Sequence, residues 1–164
     1  MVQLPHMDAS AVGKRCSEVD RAYCAGLIDG DGSIMALIEP HSEKRFRFRV
    51  RIELKITQKY RKDLVFLPNL LGCGLIRTNR TTCDWITRDQ KEIFRVLSLI
   101  KPYSRTKQRQ IQIACDIIQT SIKRSEDLLR VARLADTLSK FNVRSKNRRK
   151  NYATMIQEHF SSND

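Results

Sequence analysis

Two aspartates one residue apart, Asp29 and Asp31 in the run Asp29-Gly30-Asp31-Gly32, are the side chains in this sequence best placed to do chemistry. Carboxylate oxygens suit a hard divalent cation such as Mg2+, and a metal held there could support phosphoryl hydrolysis. The same residue types also make turns and caps for purely conformational reasons. An EF-hand calcium loop is excluded. Counting from Asp29, the sixth position is Ile34 where glycine is required, and the twelfth is Pro40 where glutamate is required.

A second set of charged residues follows directly. Phe46, Phe48, Val50, Ile52, Leu54 and Ile56 alternate with Arg47, Arg49, Arg51, Glu53, Lys55 and Thr57, the period of a strand with one buried and one wet face. Between His41 and Lys62 nine Lys or Arg residues stand against only Glu43 and Glu53. Like charges on one sheet face repel unless something neutralises them, and DNA phosphates and guanine edges would do so. A strand of about eleven residues spans roughly 36 Å, close to one turn of B-DNA. Arg105 to Arg109 and Arg144 to Lys150 are two further basic stretches without acids; Arg148 and Lys150 in the second are expected to contact phosphates.

The whole chain carries the same bias: 31 Lys and Arg against 18 Asp and Glu leave +13, enough to attract a polyanion. A membrane surface would require a basic amphipathic helix or a lipidation signal, and neither is evident. Cys16, Cys24, Cys73, Cys83 and Cys115 form no C-x-x-C pair, and His6, His41 and His159 are scattered, so zinc-ligand spacing is absent. The odd cysteine count and the lack of a signal-peptide core favour a reducing interior.

At 164 residues the chain suits one hydrophobic core. The elements that must position the charged residues are legible in order. Ser17 caps a helix from Glu18 into Asp29, which Gly30 and Gly32 stop; Ser33 to Glu39 is a strand, closed by Pro40 and followed by the alternating one. Arg61 to Leu71 reads as a short helix, Leu75 to Asn79 and Thr82 to Thr87 as a hairpin, and Gln90 to Ile100, capped by Asp89, as a helix with its apolar stripe on a sheet. Helices over Lys107 to Ile122, Glu126 to Phe141 and Tyr152 to Phe160 complete the chain, giving an α+β fold with the core order αββαββα. The expected organisation is an N-terminal extension over 1–16, a main domain over 17–150 and a C-terminal helix or tail over 151–164.

Cys24 to Gly32 resembles the motif that names the LAGLIDADG endonucleases, matching seven of nine positions and departing at Cys24 and Gly30. Gly26 and Gly30, four apart on one helix face, would let a second helix approach closely. The likeness runs from about Ser17 to about Lys150 and is nearest to single-motif homing endonucleases of organellar introns. It implies a saddle-shaped antiparallel sheet on the DNA major groove and a homodimer joined through the motif helices at Ala25, Gly26 and Asp29.

By the same resemblance Asp31 is the direct ligand of catalytic Mg2+ (with Mn2+ able to substitute), supported by the Gly30 carbonyl, while Asp29 is mainly structural. Ile56 to Lys62 is similar to the family segment that organises water near the metal, pointing to Gln58 and Lys62; Pro102 to Gln110 is similar to the one that supplies an active-site lysine, Lys107. Sheet positions matching base-contacting ones are His41, Lys44, Arg49, Arg51, Lys55, Arg77, Asn79, Asp84 and Ile86. The function implied is cleavage of both strands of a long pseudo-palindromic DNA target, promoting intron homing, in an organelle and in a chloroplast before a mitochondrion. One D-G-D-G run per chain also argues for a dimer on chemical grounds, since cutting two strands needs carboxylates at two phosphates. A splicing maturase on the same fold is the alternative; it would keep the basic surface without needing Asp31, Gln58 and Lys107 together.

Overall fold

A computed structural model of the chain describes residues 16–142 and 150–162. Helix α1 spans Glu18–Asp31 and starts in a capping box: Ser17 Oγ accepts from the Asp20 N–H at 3.1 Å while Asp20 Oδ2 accepts from the Ser17 N–H at 3.0 Å. The helix runs two residues past Asp29, so Gly30 does not stop it. Gly32 does: its N–H donates to Ile28 O, and a Cβ there would lie 2.6 Å from that oxygen.

Strands β1 (Gly32–Pro40), β2 (Phe48–Gln58), β3 (Leu75–Thr78) and β4 (Cys83–Thr87) form one antiparallel sheet in the order β1-β2-β4-β3. Ile52, Leu54 and Ile56 are fully buried beside Ile34 and Trp85, as the period of two requires. Arg47 is a correction to the expected strand face. It lies in the β1–β2 turn at φ 62°, where its backbone bonds to Lys44 and His41 and its guanidinium donates to Ser42 O at 2.6 Å.

The expected helix over Arg61 to Leu71 is also corrected. A 3-10 turn at Arg61–Asp63 is followed by a separate short α2, Leu67–Leu71. Pro68 lacks an N–H and its ring would clash with a preceding turn, so it fits only at a helix start. Gly74 then takes φ +81° against the Trp85 indole, leaving no room for a Cβ, and Trp85 Nε1 donates to Cys73 O at 3.1 Å.

α3 (Gln90–Ile100) begins at Asp89, whose carboxylate accepts from the Glu92 N–H at 2.9 Å. Its stripe of Ile93, Val96, Leu97 and Ile100 is fully buried. α4 (Gln108–Gln119), α5 (Ser125–Asn142) and α6 (Tyr152–Ser161) add the remaining apolar faces. α6 is tied down, with Asp136 accepting from the N–H groups of Tyr152 and Ala153 and Phe160 packed edge-on to Phe46. Tyr152 and Ile156 thereby join the same core as the sheet.

Candidate active site and nucleic-acid interface

Asp29 and Asp31 sit one residue apart and do opposite things. Asp29 turns back into its own chain, where its carboxylate accepts from Ser104 Oγ at 2.6 Å and from the backbone N–H groups of Arg105, Thr106 and Lys107 at 2.6, 3.2 and 3.3 Å. Partial burial would raise this carboxyl, but the Ser104 hydroxyl and the three amides hold it below its usual value. Asp29 therefore anchors the loop before α4. Asp31, the last helical residue, is exposed, and Gln58 Nε2 donates to its Oδ2 at 2.7 Å.

Lys107 closes the arrangement, its amine donating to Asp29 O at 2.7 Å. A helix C-terminus carries partial negative charge and α1 has no basic residue in its last turn, so this cation comes from another element. The fold thus brings Gln58 from the end of β2 and Lys107 from the start of α4 to the end of α1. The Lys62 amine lies 5.5 Å over the Tyr60 ring, with Lys59 at 5.3 Å over the same ring. Among the described residues no three His, Cys, Asp or Glu side chains cluster as a metal site, and of the two aspartates Asp31 is the exposed one.

The outward face of α1 carries Val19 and Tyr23, 78% and 56% exposed, with Gly26 and Gly30 open beside them. Ala25, expected on that seam, is corrected: it is fully buried in its own chain, and the Asp29 carboxylate is engaged by the loop at 104–107. Cys24 is buried too, which pushes its thiol up to about 12 and makes it a small apolar group.

The uncovered sheet face is less uniformly basic than the sequence suggested. Arg51 pairs with Glu39 at 3.0 Å, Arg88 covers the buried Glu53, and Arg49 contacts His41. Met35 and Leu37 lie opposite Glu53 and Arg51, so β1 contributes apolar groups that alternation in β2 could not disclose. Lys44, Arg77 and Asn79 are exposed. Ile86 is 6% exposed; Leu75, opposite it and 51% exposed, presents the apolar surface instead.

Asp84 lies between Thr57 and Arg77 and accepts from Thr57 Oγ1 at 2.6 Å and Asn79 Nδ2 at 2.8 Å. Burial opposes its ionisation, but those bonds and the Lys55 charge hold the carboxyl below its usual range. Lys150 is exposed beyond α5, its amine 6.0 Å over Tyr152. Arg148 lies outside the described residues. Neither Ser104 nor Leu75 stands in a sequence pattern that marks it.

Residues 24–117 match the family described as LAGLIDADG endonuclease. The chain is 32% identical over 126 residues to DNA endonuclease I-CreI of Chlamydomonas reinhardtii, covering 73% of this chain and 77% of that one. It is 28% identical to DNA endonuclease I-CvuI of Chlorella vulgaris over 70% and 74% of the respective chains. A crystal structure of I-CvuI in complex with a DNA target superposes with a TM-score of 0.79 at 25% identity, covering 88% of this chain and 94% of that one. With the motif helix, the sheet order and Asp31 in place, the chain belongs to the LAGLIDADG endonuclease family.

Proposed function

We propose that two copies of this chain join through the outward faces of α1 and use their paired Asp31 residues to hydrolyse both strands of a long, nearly twofold-symmetric DNA target. The chain is a DNA endonuclease of the homing type. The observation that carries the finer reading is the end of α1: an exposed carboxylate held by Gln58, beside a lysine amine fixed by a backbone carbonyl.

The donor set fits a hard cation, since the Asp31 carboxylate and the Gly30 carbonyl are oxygen ligands at the negative end of a helix. Bound there, Mg2+ (or Mn2+) would supply Lewis-acid polarisation of the phosphate and a hydroxide-like nucleophile. Asp31 provides the negative charge that holds the ion. Gln58 fixes the Asp31 rotamer and orders water beside it, and the Lys107 ammonium offsets charge building on the scissile phosphate. Lys62, from the same segment as Gln58, is the second candidate cation for that role, its amine 5.5 Å over the Tyr60 ring.

The cations of the sheet and its β1–β2 turn, exposed Lys44, Arg49 and Arg77 and half-buried Arg51 and Lys55 among them, face the major groove, while Lys150 meets a phosphate. Two copies are needed because each chain carries one Asp29-Gly30-Asp31-Gly32 run. Val19 and Tyr23 give the helix pair apolar area, and Gly26 and Gly30 let its backbones approach. I-CreI and I-CvuI come from green algae, which supports an organellar setting, taken here as the chloroplast before the mitochondrion. The test is to digest a randomised duplex library in Mg2+ and sequence the cut ends. Recovery of one site with approximate dyad symmetry about the cut is expected; cut ends without symmetry would refute the paired arrangement.

A further inference from the structure

We propose that Asp84 is a positioning residue that locks the Asn79 amide with its carbonyl oxygen toward the DNA, so that this corner of the sheet selects adenine or cytosine. The proposal rests on the reading that the sheet face contacts bases. An ionised carboxylate can only accept hydrogen bonds. Both Asp84 oxygens are occupied, Oδ1 by the Thr57 hydroxyl at 2.6 Å and Oδ2 by Asn79 Nδ2 at 2.8 Å. The Asn79 NH2 group is therefore turned inward, and it also reaches Thr82 Oγ1 at 3.4 Å.

What remains for an outside partner is Asn79 Oδ1, a pure acceptor on an exposed residue. The Thr57 hydroxyl, its proton directed at Asp84, likewise offers only lone pairs. In the major groove adenine N6 and cytosine N4 are the donors, whereas guanine and thymine present acceptors at these edges. A free asparagine could turn its amide over and pair with either class. Asp84 removes that freedom. Thr57 immediately precedes Gln58, which holds Asp31, so the base read lies toward the centre of the target.

The experiment compares cleavage of a randomised duplex library by the wild type and by Asn79→Ala, Asp84→Ala, Asp84→Asn and Arg49→Ala, each checked for folding by circular dichroism. The wild type is expected to favour adenine or cytosine about tenfold at one inner position of each half-site. Asn79→Ala should flatten that position alone to within about twofold. Asp84→Ala should relax the same position so that guanine and thymine are also cut. Asp84→Asn, which keeps the volume and can face either orientation of Asn79, should do the same and serves if the alanine variant does not fold. Guanine or thymine preferred by the wild type, or Asp84 variants that leave the profile unchanged, would overturn the positioning role. If Arg49→Ala meanwhile alters its own positions, only that role fails; if Arg49→Ala also changes no base preference, the reading of the sheet face fails with it.

Discussion

The end of α1 and the open face of the sheet are both built from charged side chains, yet they are organised in opposite ways. At the helix end the groups converge: four donors on Asp29, Gln58 on Asp31 and the Lys107 amine on one carbonyl. On the sheet each charge has its own local arrangement, Arg51 with Glu39, Arg88 with Glu53, Arg49 with His41, Asp84 with Thr57 and Asn79. Convergence makes a site that one substitution can abolish. Dispersal makes a surface on which substitutions act separately and by degrees.

The largest expected effect lies within the helix end and would break the comparison if absent. Asp31→Asn should lower cleavage by on the order of 10³-fold or more while leaving the thermal midpoint unchanged, because it removes charge without disturbing packing. Asp29→Asn should do the reverse in stability. An amide cannot accept from all four donors, and the loss of about 2 kcal/mol lowers the midpoint by roughly 4–8 °C. The folded Asp29 carboxyl titrates below its unfolded value of about 3.9, so its stabilisation is present above that pH and is lost as pH falls through the folded value. Melting curves of wild type and Asp29→Asn should therefore differ at neutral pH and draw together as pH falls through the folded value; a gap that does not narrow in acid would show that the carboxylate is not what anchors the loop.

Smaller, graded effects should mark the sheet. Arg49→Ala should change base preference at its own positions by about 1–3 kcal/mol, whereas Lys150→Ala should weaken all duplexes alike and reduce the salt slope by about one. A uniform loss from both would erase the distinction between base and phosphate contacts. Smallest of all, Glu39→Gln frees Arg51 and removes a negative charge from the DNA face, and should tighten binding only a few-fold at low salt. A tenfold weakening in a filter-binding titration would instead show that Glu39 holds Arg51 in its binding geometry.

The sequence disclosed elements whose signals are local: the Ser17 and Asp89 caps, the alternation of β2 and the stripe of α3 each depend on neighbours a few residues away. It misplaced what tertiary contacts decide. Gly30 continues the helix because Gly32 closes it, and Ala25 faces inward because the sheet and α3 lie on that side of α1. Arg47 leaves the strand because the β1–β2 turn needs a left-handed residue there. In the site, Asp31 was legible through the motif and Gln58 through the family likeness of Ile56 to Lys62, but nothing in the sequence signals that Asp29 captures the backbone of residues 105–107 with Ser104, a contact spanning 75 or more positions. The ion pairs of the sheet were equally hidden, since Glu39 and Arg88 belong to segments other than the strand that carries Arg51 and Glu53.

That each chain carries half of a cleavage centre is tested most directly by tethering two copies in one polypeptide and replacing Asp31 by Asn in one half only. With the intact tethered protein as reference, conversion of supercoiled plasmid bearing the target to linear product should fall on the order of 10³-fold, while affinity for the duplex in Ca2+ stays within about twofold. A half-substituted protein that linearises plasmid at the reference rate would show that a single Asp31 suffices and would contradict the paired site.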